Sequence, residues 1–102
     1  MSVRVVQINF KFNVPRSDFE AAEFPMAPEF AAIPGLRWKI WIINEEQSEA
    51  GGLMLFADQA AADAFLTGPL AAKVTGHPAL SDFSVKQFDV QESVTRTTRG
   101  PI

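Results

Sequence analysis

The sequence predicts an α+β fold: four antiparallel strands and two helical segments in the order βαββαβ, the ferredoxin-like arrangement with its helices on one sheet face. Three observations predict it. Residues 3–13 alternate apolar and polar side chains. Two further strand-like runs, 36–43 and 51–56, flank the acidic stretch Asn44-Glu-Glu-Gln-Ser-Glu-Ala50. Helical spacing of apolar residues fills the chain before the second strand and after the third.

In the first strand Val6, Ile8, Phe10 and Phe12 share one face, and Gln7, Asn9, Lys11 and Asn13 the other. Pro15 ends it. Ser17-Asp-Phe-Glu20 reads as a capping box, in which the Ser hydroxyl accepts an amide and Glu20 reaches back. Phe19, Ala22, Met26, Phe30 and Ile33 then recur on one helical face. Pro25 and Pro28 interrupt them, so a kinked helix or two short ones are expected.

Pro34-Gly35 makes a turn into the second strand, where Trp38 and Trp41 fall on opposite faces. A strand with a large aromatic on each face is covered on both sides. The chain's helices supply one cover. At 102 residues the chain has little left for the other, and a second copy of itself is the expected source.

The third strand starts at Gly51 or Gly52, where the paired glycines fit a bulge or a close approach of another backbone or a ligand. Asp58 is a natural N-cap for the Ala-rich helix that follows. Gly68-Pro69 stops that helix and starts a short one, which Gly76-His77-Pro78 ends. The fourth strand, about 82–90, slips in its alternation between Val85 and Phe88, which predicts a bulge there. Residues 1–90 make one domain. Residues 91–102, with Arg96 and Arg99, have no core pattern and read as a tail or a dimer arm.

Composition excludes several classes. The net charge is −3 with no basic run, against nucleic-acid binding. The apolar run Ile40–Ile43 is far too short to span a bilayer, and no signal-peptide pattern opens the chain, so a cytoplasmic location with no membrane partner is expected. The chain has no Cys and one His, which excludes thiol catalysis, disulfides, Cys-based zinc sites and multi-His metal sites. Gly51-Gly52 lacks the further glycines and the lysine of a phosphate-binding loop. No metal or cofactor is expected.

A pocket between helices and sheet is the default site of such a fold. Its candidate walls are Phe10, Phe12, Trp38, Trp41, Phe56, Phe65 and Phe88. Aromatic residues at regular spacing are mostly core, but each indole N–H needs a partner that a pocket can supply. His77, the one imidazole, is the side chain expected from its residue type to exchange a proton near neutral pH. It is the candidate catalytic base, with an exposed turn residue as the plainer reading. Asn9 and Asn13 are candidates to bind a substrate oxygen. Arg37 and Lys39 share a strand face with Trp41 and Ile43; they are edge charges, anion-binding groups or partners across a dimer. Glu45, Glu46 and Glu49 belong to a solvated loop.

Pro34-Gly-Leu-Arg-Trp-Lys-Ile-Trp41, then Glu49-Ala-Gly-Gly52 and Leu55-Phe-Ala-Asp58, resemble the YdhR-type monooxygenase family of the dimeric α+β barrel superfamily. The resemblance extends to Gln7–Asn13 and Phe88-Asp-Val90. It implies a homodimer with sheets face to face and oxidoreductase chemistry. The implied reaction is cofactor-independent oxygenation of a small electron-rich aromatic: a phenol, a quinol or an anthrone-like ring. Met54 stands where relatives carry Tyr, so a hydroxyl is missing there. A non-catalytic small-molecule-binding or stress-response dimer is the alternative reading. Haem degradation, or cyclase or isomerase activity, is a third; for haem, His77 is the one imidazole available as an axial ligand.

Overall fold

A computed structural model describes residues 2–102. Four strands, β1 (Arg4–Phe12), β2 (Leu36–Asn44), β3 (Glu49–Phe56) and β4 (Leu80–Asp89), form one antiparallel sheet in the order β2-β3-β1-β4. Helices α1 (Arg16–Glu23) and α2 (Ala27–Ala31) connect β1 to β2; α3 (Gln59–Leu66) and α4 (Pro69–Thr75) connect β3 to β4. A short α5 (Glu92–Thr97) follows the last strand. This is the expected ferredoxin-like βαββαβ arrangement.

The first helical segment breaks where its prolines predict. A 3-10 turn, Phe24–Met26, carries Pro25 and separates α1 from α2. The capping box does not form. Helix α1 begins one residue before Ser17, with Pro15 at the N-cap and no side-chain cap. Glu20 instead faces Arg16 one turn back, at 3.4 Å. Asp58 does cap α3, accepting the Ala61 amide at 2.9 Å.

Two irregularities set which side chains reach the helices. Leu36 pairs with Phe56 and Trp38 with Leu55, so β2 carries one extra residue, Arg37. This bulge resets the alternation: Leu36 packs against the core under the helices, while Trp38 faces the other side. The second irregularity corrects the reading of β4. Its register against β1 is continuous from Asp89 to Ser84 and shifts only nearer the strand's start, where Asp82 has φ 54°. The slip between Val85 and Phe88 is no bulge. Val85 faces the helical layer; Phe88, opposite Val5, faces away. Both sides of β4 carry an apolar group, and that obscures the alternation.

Gly51 and Gly52 are also regular strand residues rather than a bulge. A Cβ on Gly51 would lie 1.9 Å from the Ile8 carbonyl oxygen, so the close approach is that of β1. On Gly52 it would lie 2.6 Å from Lys39 Cε.

Two apolar clusters fill the space under the helices. One joins Val6, Phe30, Met54, Phe56, Ala62, Phe65 and Ala71. The other joins Phe10, Phe12, Phe19 and Ala50, with the Phe12 and Phe19 rings stacked 4.8 Å apart. Ile8 and Val74 touch both. On the opposite face the C-terminal residues fold back over their own sheet. Val94, Pro101 and Ile102 line a groove with Val5, Trp38 and Leu55. The Trp38 indole N–H donates to the Pro101 carbonyl at 2.8 Å. No helix among the described residues is long and apolar enough to cross a membrane.

Candidate active site

A cavity of about 410 Å³ lies where the two apolar clusters meet, between the sheet and helices α1 to α4. Strand β1 supplies Ile8 and Phe10, β2 supplies Trp41, and β3 supplies Met54 over the flat patch of Gly52. The helices close it with Phe19, Met26, Phe30, Phe65 and Val74. Phe30 meets Trp41 edge-on at 5.2 Å and tilts against Phe65 at 5.7 Å, so three aromatic side chains form one continuous wall.

Few polar groups face this space. Thr67 and Thr75 line it, but their hydroxyls donate to the Asp63 and Ala71 carbonyls. The titratable lining side chains are Lys39, Glu23 and His77.

Lys39 runs inward from β2 over Gly52. Its Nζ sits 3.4 Å from the centre of the Phe30 ring and 3.5 Å from that of Trp41. Ring faces attract a cation, but they accept no conventional hydrogen bond. Burial lowers the Lys39 pKa to about 7, against a smaller opposing pull from the Glu23 charge. Glu23 shows the converse. Burial raises its pKa, and the Lys39 charge offsets part of the rise. The two are not in direct contact as an ion pair, unlike Lys73 with Glu29 or Arg16 with Glu45.

His77 sits in the loop between α4 and β4. Its Nδ1 accepts the Ala79 amide at 3.1 Å. A neutral ring so engaged carries its proton on Nε2, which is left as a donor.

Of the residues proposed from sequence, the structure brings Phe10, Trp41, Phe65 and His77 to this cavity. Phe12 and Phe56 belong to the packed clusters beside it, with 5% and 0% of their surface exposed. Trp38 lies on the other side of the sheet, holding the C-terminal segment. Asn9 is on that side too, donating to Glu49 at 3.2 Å and accepting from Gln7 at 3.0 Å. Arg37 is exposed at the β2 bulge. Asn13 donates to the Pro78 carbonyl at 3.3 Å. The sequence reading left out Glu23, and it treated Lys39 as an edge charge first. The signal for Lys39 was its spacing of two from Trp41. For Glu23 it was the single turn that separates it from Phe19.

A family model described as putative mono-oxygenase ydhR matches residues 5–101. The chain belongs to this family. Among solved structures, this YdhR-family chain resembles SnoaB, a cofactor-independent oxygenase from Streptomyces nogalater. The two are 18% identical, with a TM-score of 0.73, and the match covers 92% of this chain and 98% of that one. The heme-degrader MhuD from Mycobacterium tuberculosis, solved with two hemes in its active site, gives a TM-score of 0.66 at 20% identity over 85% of this chain and 95% of its own. NE2512 from Nitrosomonas europaea, of unknown function, gives 0.67 at 22% identity over 89% and 91%. These likenesses establish the shared fold. No curated protein matches the chain.

Proposed function

We propose that this YdhR-family protein is a cofactor-independent monooxygenase that oxidises a small electron-rich aromatic molecule in the cavity between sheet and helices. The observation that carries the reading is the cavity itself: about 410 Å³, walled by Phe10, Phe30, Trp41 and Phe65, with His77 and Lys39 as its nitrogen groups. Family membership and the SnoaB-like fold support it.

The reaction asks little of the protein beyond binding and ionisation. A phenol, quinol or anthrone-like ring loses a proton and becomes a good electron donor. It passes one electron to O₂, and the two radicals combine to form a carbon–peroxide bond. The O–O bond then breaks. One oxygen stays on the ring carbon as a carbonyl; the other leaves as water with two hydrogens from the substrate. An apolar site favours this sequence by excluding bulk water and holding the ring in one orientation. His77 Nε2–H is the donor available to a substrate oxygen as negative charge develops on it.

The assembly in this reading is a homodimer. Its surface is the sheet face opposite helices α1 to α4, beyond the C-terminal segment, where Ile40 is 49% exposed.

The test is oxygen uptake by metal-stripped protein with a panel of phenols, quinols and anthrones, run beside thermal stabilisation by the same compounds. Uptake that saturates with one compound and yields its oxygenated product is expected. Stabilisation without uptake across the panel would replace the oxygenase reading with that of a non-catalytic binding protein.

A further inference from the structure

The amine of Lys39 has no partner of its own. No fully buried side-chain nitrogen or oxygen among the described residues lacks a hydrogen bond; Lys39 Nζ, which lines the cavity, is not one of these fully buried atoms. Lys11 and Lys73 reach the carboxylates of Glu49 and Glu29, and Lys86 is exposed to water. Lys39 instead rests between the rings of Phe30 and Trp41 with its nitrogen open to the cavity. Its N–H groups are donors with no acceptor, in a space whose walls are apolar.

We infer that Lys39 takes the proton of a substrate hydroxyl and then holds the resulting oxyanion, so that the cavity selects aromatic rings bearing an ionisable hydroxyl. The assignment of a catalytic proton transfer rests on the oxygenase reading above; the binding preference does not. The transfer balances simply. The neutral amine accepts the O–H proton, and the ammonium and the ring oxyanion form a charge-assisted hydrogen bond in place of two neutral groups. An amine poised near neutrality can do this, whereas the ordinary lysine stays protonated.

The surroundings favour the anion. Helix α2 presents Phe30 to Lys39, and β3 presents Gly52 and Met54; none carries charge. Across the cavity, α1 contributes Glu23 and the loop before β4 contributes His77. Glu23 is the one negative group; burial raises its pKa, and the Lys39 charge offsets part of the rise. Gly52 leaves the room that the Lys39 stem occupies, since any larger residue would meet Cε. The flat aromatic wall beside Nζ then gives the ring of the ligand a stacking surface.

The probe is 4-nitrophenol, which turns yellow on ionisation and titrates near neutrality. Its ring is electron-poor and passes no electron to O₂, so the result is independent of oxygenase activity. In mildly acid buffer Lys39 is already the ammonium, so titration of the protein into the probe there reads the oxyanion-holding half of the inference: the yellow form is expected on binding, with the probe's proton passing to the buffer. The apparent pKa of the bound probe should fall by about one unit or more. Lys39→Met should abolish that fall while leaving the protein folded, since it puts an apolar side chain in an apolar space. Gly52→Ala, which displaces the stem without removing the amine, should reduce it. Binding of the probe in its colourless form, no binding at all, or an equal shift in Lys39→Met would overturn the inference. Yellow bound probe without oxygen uptake on any panel compound would leave the hydroxyl site standing and remove the oxygenase. Saturable uptake unchanged in Lys39→Met would do the reverse.

Discussion

Lys39 and Met54 are register partners on neighbouring strands, and Met54 has no exposed surface. A lysine whose cross-strand neighbour is fully buried stands inside the protein at its base, and only the cavity lets its nitrogen meet water. Burial of that kind is what lowers the amine to about 7, against a smaller opposing pull from the Glu23 charge.

The first prediction concerns stability against pH. Below about 7 Lys39 is protonated in both folded and unfolded chains, and the folded state carries the full cost of the buried charge. Between about 7 and the ordinary lysine value of 10.5, the folded chain has released the proton and the unfolded chain still holds it. Stability from this group therefore rises with pH across that window. Lys39→Met should stabilise the protein by about 1–3 kcal/mol at pH 6, a range discounted for the water the cavity admits. The advantage should shrink steadily toward pH 10. Glu23 loses its attraction to Lys39 in the variant and offsets part of the gain once ionised. Thermal melting of both proteins from pH 5 to 10 measures the difference; a gain that grew with pH would be the wrong sign.

The adjacent glycines should behave differently. Gly51→Ala drives a Cβ into the Ile8 carbonyl, a backbone group that cannot move without parting β1 from β3. A loss of about 3 kcal/mol or more is expected. Gly52→Ala meets only the flexible end of Lys39 and should cost about 1 kcal/mol. Urea unfolding of the two variants would separate them.

Trp38→Phe removes the indole donor that holds Pro101 and keeps most of the ring. The expected loss is about 1 kcal/mol. It should appear as faster proteolysis and amide exchange in residues 92–102, with ligand binding in the cavity unchanged. Altered ligand affinity would show that the two sheet faces are coupled.

His77→Ala should lower the turnover number for oxygen uptake about 100-fold with little change in KM, as expected for a donor that acts on developing charge. His77→Gln, which keeps a side-chain N–H, should recover part of it. A rise in KM alone would assign His77 to binding.

Ile40→Asp places a charge in the exposed apolar part of the sheet face opposite helices α1 to α4. If that face joins two copies, the variant should sediment as a monomer while the native chain sediments as a dimer. A native monomer at micromolar concentration would end that proposal.

Much of this was legible in the chain. The alternation of Val6 to Phe12, the punctuation by Pro25 and Pro28, and the Asp58 cap act within a few residues of themselves, and each appears where local chemistry puts it. What could not be read depends on neighbours distant in sequence. Trp38 and Trp41 were placed on opposite faces, but which face holds the cavity is set by the bulge at Arg37 and by where the helices settle. The capping box at Ser17 lost to an earlier helix start beside Pro15. Lys39 resembled a surface charge because lysine usually is one; only packing of Phe30 and Trp41 around it makes it otherwise.

The docked C-terminal segment has a consequence for assembly. It covers the sheet over Val5 and Leu55 and leaves Ile40 exposed, so that face is stepped rather than bare. A level sheet tolerates many sliding offsets of whatever lies against it. A stepped one admits few, because an incoming copy must stop where the ridge begins. In the homodimer proposed above the segment would serve as a gauge block, held in place by the bond from Trp38 to Pro101.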